Sequence, residues 1–438
     1  MSEYADIYVQ KLSIASFCNY LNMNIVNLFF TKEDLNIISE CKVEFEEDAS
    51  YTQCIYKTTV KRARERLDAS GYTISNFEKF FNENIFKVVD YSEFLYHLGV
   101  DYDDYENVAM NRIKSKVSFK KWKNAMHKIV SYELSNGNIY LYRNENKISL
   151  GTECEKIIYY SLISDEAESI YGLSTEYIDL GYIYRLILES CDENDNLILD
   201  FSNLLLWDSN CLSKMQSSTV DIEKTIVLVE GTSDKDILEF AMKQLYPHLF
   251  DLFYFMDFND LNGGTRETGA SYMVKNLKTF YFSKLKSKFI AIFDNDAEGY
   301  SSKCTLQNDI KNWPNNFRIL LYPEIKEFRK YPTLATNGTI MFDDINRKAC
   351  SIELYLPDIL IKENDSFLPI EWEARKKIKY ENGMVEFLYQ GVISNKDKIK
   401  DEFHKLRRDI EKGKKHFINE DWNRMKQLLD NIVFAFVK

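Results

Sequence analysis

The chain has 438 residues, too many for one hydrophobic core and consistent with roughly two to four domains. Hydrophobic residues make up 45% and charged residues 28%, and 6 prolines with 15 glycines argue against long low-complexity linkers. A net charge of −12 excludes a protein that coats nucleic acid indiscriminately, while leaving room for a local basic groove.

The opening MSEYADIYVQ has neither a basic nor an apolar leader region, and no stretch approaches the roughly 18 apolar residues of a membrane span. A cytoplasmic protein without membrane contact is expected. ADIYV (5–9) and IVNLFF (25–30) read as short strands or buried segments. Residues 57–67 predict an amphipathic helix with a basic face, stopped at Ala69-Ser70-Gly71. NIYLYR (138–143) reads as a strand, KIIYYSLI (156–163) fits helix or strand, and YIYRLILESC (182–191) predicts a helix before the turn DENDN. LILDFSNLL (197–205) reads as a strand running into a polar stop. The 8 cysteines form no C-x-x-C pair, so neither a zinc site nor a disulfide framework is expected.

The pattern changes near Asp221. TIVLVE (225–230) has the apolar, β-branched character of a buried parallel strand. GTSDKD then opens a helix that continues through ILEFAMKQLY. LFYFMDF (252–258), KFIAIF (288–293) and FRILLY (317–322) predict three more strands, with a turn at Asn262-Gly263-Gly264-Thr265 leading into a helix. Strands alternating with helical patterns imply βαβ units around a mostly parallel sheet. The expected organisation is an N-terminal mixed α+β domain over 1–220, an α/β domain over 221–365 and a helical C-terminal extension over 366–438, with helices at 394–412 and 419–435.

In open parallel sheets, sites form beyond the carboxyl ends of strands. Glu230 ends TIVLVE, and Asp294 and Asp296 follow KFIAIF, with Gly299 closing the turn. If those strands are neighbours, the carboxylates converge, and hard oxygen ligands of this kind suit Mg²⁺ or Mn²⁺. A lone D-x-D is common; an apolar strand ending Glu-Gly, followed downstream by a strand ending D-x-D-x-x-G, is a far more specific pattern.

VEGTSDKDIL (229–238) and AIFDNDAEG (291–299) resemble the two signature motifs of the Toprim domain, shared by topoisomerases, primases, OLD-family nucleases and related effectors. The resemblance implies a Rossmann-like parallel sheet over about residues 222–325 and a Mg²⁺ or Mn²⁺ cofactor. It gives Glu230 an acid/base and metal-linked role, Asp294 and Asp296 metal-binding roles, and Asp234 the acidic position after the first motif. ACSIELYLPD (349–358) resembles a downstream element of OLD-like Toprim nucleases, which makes Glu353 a fourth carboxylate or, alternatively, an ordinary helical glutamate. YQGVISNK (389–396) resembles a later lysine-bearing element; Lys396 would offset charge on a phosphate, or be a solvated surface lysine.

YADIYV and YRLILES…LILDFSNLL (184–205) resemble the N-terminal region of HEPN/Toprim-associated proteins found in bacterial conflict and phage-defence loci. None of His97, His127, His248, His404 and His416 follows an arginine at the R-x₄₋₆-H spacing of HEPN ribonucleases, so this half is expected to bind a substrate or partner. Two basic segments are candidates for phosphate contact. One holds Arg112, Lys114, Lys116, Lys120, Lys121, Lys123 and Lys128 around Phe119 and Trp122; the other holds Lys405, Arg407, Arg408, Lys412, Lys414 and Lys415.

The expected function is a metal-dependent endonuclease acting on DNA or RNA, tRNA included, in a defence setting implied by the resemblance. The alternative is a non-catalytic Toprim-fold sensor or scaffold that binds nucleic acid or a partner protein. No G-x-x-x-x-G-K-[ST] loop occurs, so an ATPase or sensor would be a separate partner, and homo-oligomerisation is left open.

Overall fold

The computed structural model describes residues 4–43, 46–99, 111, 115–139, 148–163, 169–207, 223–256 and 269–437. It divides into two units, Met1–Ile222 and Glu223–Phe436.

In the first unit, β1 (Tyr4–Val9), β2 (Leu12–Cys18), β3 (Leu35–Val43), β4 (Glu46–Thr59) and β5 (Asn196–Asp200) form a sheet in the order β2-β1-β5-β4-β3, every pairing antiparallel. Alternation sets Ala5, Ile7 and Val9 inward. IVNLFF, read as a short strand or a buried segment, falls in a partly buried helix, α1 (Met23–Phe29). A short apolar run carries no readable period; here Asn22 caps the segment and Val26 and Phe29, three apart, share the buried face.

The helix expected over 57–67 starts later, as α2 (Val60–Ser70), because β4 runs on through Thr59, which pairs with Asn196. Thr59 then caps the helix by accepting from Arg62 N–H at 3.3 Å, and Gly71 ends it at φ 105°. Residues 74–88 form α3 (Ile74–Val88), and the basic segment forms α4 (Phe119–Asn136). KIIYYSLI resolves as α5 (Glu153–Ile163), followed by α6 (Leu180–Leu188). The run 197–205 bends after Asp200 into α7 (Ser202–Trp207). Most of NIYLYR, from residue 140 on, lies outside the described residues.

The second unit is built on β6 (Thr225–Leu228), β7 (Phe253–Met256), β8 (Phe289–Phe293) and β9 (Phe317–Leu321), in the order β9-β8-β6-β7 and parallel throughout. Helices α8 (Thr232–Leu245), α9 (Ala270–Phe282) and α10 (Ala297–Asp309) return the chain between strands. Phe280 and Phe317 stack on either side of Phe289, at 5.1 and 5.0 Å between ring centroids. The Asn262–Thr265 turn, residues 262–265, lies outside the described residues.

Beyond residue 330 the chain is not simply helical. β10 (Tyr331–Leu334), β11 (Ile340–Asp343), β12 (Ile370–Lys379) and β13 (Val385–Ile393) make a second sheet, ordered β11-β10-β12-β13. The helical extension expected from 366 therefore begins with a long antiparallel hairpin, β12–β13, before α11 (Lys396–Glu411) and α12 (Asn423–Val433). The strands were hidden because the inner face of β12 carries Lys376, paired with Glu298 at 2.9 Å, where an apolar residue would have exposed the alternation. Among the described residues no helix is long and apolar enough to cross a membrane.

Candidate active site

Strands β6 and β8 are parallel and hydrogen-bonded neighbours, so the residues just past their ends meet at one sheet edge. Glu230 and Asp294 are in direct contact: Asp294 N–H donates to Glu230 Oε1 at 3.1 Å. Asp296 belongs to a two-residue strand, Asn295–Asp296, which pairs with Ala349–Cys350. Both of its oxygens are held, Oδ1 by Gly299 N–H at 2.7 Å and Oδ2 by Gln390 Nε2 at 2.6 Å, and it thereby caps α10. Gly299 has a physical reason to be glycine: a Cβ there would lie 2.2 Å from the Asp294 carbonyl oxygen. Asp234, in the first turn of α8, accepts from Gly231 N–H at 3.1 Å.

Glu353 is 1% exposed, in the short turn Ile352–Tyr355. Ser351 Oγ donates to its Oε2 at 2.6 Å, Lys396 Nζ lies 3.3 Å from the same oxygen, and Lys400 Nζ lies 3.6 Å from Oε1. As arranged, Glu353 faces two lysines, with Oε2 hydrogen-bonded and Oε1 left without a donor. It is a buried ion-pair centre, not the exposed helical glutamate weighed from sequence. Lys396 is likewise no freely solvated surface lysine.

Electrostatics tie these groups together. Burial, then the Asp296 charge, push Glu230 up to about 8, against the hydrogen bond from Asp294 N–H. Burial and Glu353 push Asp234 up to about 7, opposed by Lys396 and Lys400. Asp294 lies well above the usual carboxylate range through burial and the charges of Glu230, Asp234 and Asp296, with Lys396 opposing. Burial raises Asp296 too, although Gly299 and Gln390 favour its ionised form. Burial would lower Lys396, yet Glu353, Asp294 and Asp234 hold its ammonium above the ordinary lysine range. The six side chains singled out from sequence, Glu230, Asp234, Asp294, Asp296, Glu353 and Lys396, thus share one electrostatic neighbourhood.

Two carboxylate oxygens of the cluster are buried without a hydrogen-bond donor, Asp294 Oδ1 and Glu353 Oε1, and only the second has a cation close by, Lys400 at 3.6 Å. Among the described residues no three His, Cys, Asp or Glu side chains are set as a ready-made metal cage. Mg²⁺ does not need one, since it is commonly held by one or two carboxylates, waters and substrate phosphates. An orphaned carboxylate oxygen beside Glu230 fits that mode of binding.

Sequence reasoning missed two contributors. Lys400 was findable, one helical turn after Lys396 on α11. Gln390 lies inside the YQGVISNK element, which was read only for its lysine, and it reaches Asp296 across 94 positions. The basic segments fare differently. Phe119 and Trp122 are 4% and 0% exposed, so they are core and unable to stack on bases, while Lys123 and Lys128 pair with Glu189 and Glu155 at 3.1 and 2.7 Å. Arg112 and Lys114 lie outside the described residues. In the second segment Arg407 is tied to Glu411 at 2.8 Å.

Residues 1–207 match the family model described as HEPN/Toprim N-terminal domain 1, which points to a nuclease-related role; the match ends before the carboxylate-bearing unit. No curated protein and no solved structure matches the chain.

Proposed function

We propose that this chain, whose residues 1–207 match the family model of HEPN/Toprim N-terminal domain 1, is a metal-dependent endonuclease that hydrolyses phosphodiester bonds of DNA or RNA, tRNA included. Asp294 Oδ1 carries the reading, as a buried acceptor without a donor at the carboxyl edge of a parallel sheet. Such an atom is costly unless a cation or proton meets it. Mg²⁺ or Mn²⁺ bound there would polarise a phosphoryl oxygen and make water a stronger nucleophile at neutral pH.

The chain's own residues divide the remaining work. Asp294 and Glu230 offer oxygens to the cation, with Asp296 beside them and Asp234 and Glu353 as further carboxylates of the cluster. The resemblance of its motif gives Glu230 an acid/base role beside the cation. Gln390 and Gly299 fix the Asp296 carboxylate. Lys396, kept charged by Glu353, offsets negative charge that grows on a phosphate. The resemblance of the motifs to OLD-like Toprim nucleases supports this division of roles. The setting we infer from the same resemblance is cytoplasmic antiviral defence in bacteria, with any ATPase or sensor in a separate protein.

The test is cleavage of plasmid DNA, single-stranded DNA and total tRNA with Mg²⁺ or Mn²⁺ by wild type, Glu230→Gln and Asp294→Asn. Cleavage by wild type alone is expected and names the substrate class. Inert wild type whose melting is also indifferent to either ion would overturn the reading and leave a binding scaffold.

A further inference from the structure

The hairpin β12–β13 presents two unlike faces. Its inner face serves the site: Gln390 reaches Asp296, Lys376 pairs with Glu298 and Ile378 is fully buried. On the outer face the register sets Arg375 opposite Tyr389, Lys377 opposite Phe387 and Lys379 opposite Val385. Phe387 is 59% exposed and Tyr389 43%, and all three cations are exposed. Arg375 lies over the Tyr389 ring at 4.3 Å, and Trp372 extends the aromatic row, 6.0 Å from Tyr389. Gly391 lets the strands pack closely at this end, since a Cβ there would come 2.5 Å from Ile370, 2.9 Å from Ala349 and 3.1 Å from the Trp372 ring.

None of Arg375, Lys377 and Lys379 has an acidic ion-pair partner among the described residues, in a chain of net charge −12. The neighbouring acids are engaged elsewhere: Glu381 with Lys311 at 3.1 Å, Glu371 with Ser394 Oγ at 2.6 Å, and Glu386 with the Tyr380 hydroxyl. Glu373, at the bulge between Trp372 and Arg375, is the exposed acid nearest the row in sequence.

We propose that this outer face binds single-stranded nucleic acid, with Arg375, Lys377 and Lys379 on the phosphates and Phe387, Tyr389 and Trp372 as a stacking platform for bases. Cations at alternate positions of one strand are about 6.8 Å apart, a regular track for a polyanion. Aromatic faces reward unstacked bases and gain nothing from a closed duplex, which selects the single strand. A protein partner would not require a row of uncompensated cations beside each exposed ring. The assignment rests on the reading of the carboxylate site as one that acts on nucleic acid, and it supplies the substrate-holding surface on the same hairpin that braces Asp296.

Fluorescence anisotropy of the full chain in EDTA tests it, with labelled oligo(dT) and oligo(U) of about 16 nucleotides and a duplex of the same length. The two single strands separate DNA from RNA as the source of the ligand. Wild type should prefer single strands to duplex. The combined variant Arg375→Gln, Lys377→Gln, Lys379→Gln should weaken binding at least tenfold and flatten the log–log salt slope by about 2, at roughly 0.7 per phosphate. Phe387→Ala should lose about tenfold with the slope retained. All of these positions are exposed, so unchanged melting and circular dichroism are expected to accompany the losses. Duplex preference, no binding by wild type, or equal binding by wild type and the triple variant would each overturn the surface. Binding in EDTA is independent of cleavage: a protein that binds at this hairpin but cuts nothing with Mg²⁺ would sink the nuclease reading alone.

Discussion

Glu230→Gln should make the metal-free protein more stable at alkaline pH while removing its response to Mg²⁺. Glu230 is raised from 4.5 to about 8, mainly by burial and by the Asp296 charge. The folded protein therefore holds a proton that the unfolded chain releases between those values. Its contribution to stability is complete below about pH 4.5 and is lost as pH rises through about 8. At about 1.4 kcal/mol per pH step, the ceiling on that loss is about 5 kcal/mol. Sharing of protons among Asp234, Asp294 and Asp296 reduces the expected gain from neutralising one group to about 1–2 kcal/mol. In a unit of this size that is a rise of roughly 3–6 °C in Tm.

Gln keeps the Oε1 acceptor that Asp294 N–H uses, so the geometry survives and the charge does not. Differential scanning fluorimetry in EDTA at acid, neutral and alkaline pH reads the effect as the difference between variant and wild type, which should grow with pH. With excess Mg²⁺ at alkaline pH, wild type should gain stability and the variant little, because alkaline pH has removed the competing protons and the Gln amide offers the cation no anionic oxygen. A variant less stable than wild type in alkaline EDTA, or a difference independent of pH, would refute the idea that these carboxylates repel one another in the empty cluster.

Three further outcomes follow from single contacts. Gly299→Ala forces a Cβ against the Asp294 carbonyl, 2.2 Å away as the backbone stands, and should cost about 2 kcal/mol or more in urea unfolding together with the Mg²⁺ response; a wild-type midpoint would show that the turn relaxes freely. Gln390→Leu removes the donor to Asp296 Oδ2 and the acceptor of Glu298 N–H, and should weaken Mn²⁺ binding, followed by calorimetry, by about 10–100-fold, with about 1–3 kcal/mol of stability lost alongside. An unaltered binding curve would mean that Asp296 needs no brace. In the first unit, Arg185 joins Asp68 at 2.8 Å and Glu189 at 2.7 Å, largely out of water, so Arg185→Met should destabilise by about 3 kcal/mol. A loss below about 1 kcal/mol, the range of a surface pair, would contradict that burial.

The legible parts of the sequence share a cause. TIVLVE, LFYFMDF, KFIAIF and FRILLY show themselves because strands of a parallel sheet read as near-continuous apolar runs; β8 is buried at every position, and the edge strands β7 and β9 keep the apolar run although Tyr254 is exposed. Glu230, Asp294 and Gly299 are legible because each follows directly from where such a strand stops. IVNLFF stays ambiguous for the same reason, since an apolar run of that length satisfies a strand and a buried helix turn equally, and the deciding information sits outside it, in the Asn22 cap. The hairpin β12–β13 fails differently. One of its faces packs on α10 through Lys376 and Gln390, the other shows Arg375, Lys377 and Phe387 to solvent, so neither face carries a clean apolar period. A strand whose inner face is polar because it braces a charged site is invisible to hydrophobic patterning. For that reason the part of the chain whose structure was hardest to read is the part that reaches furthest into the site.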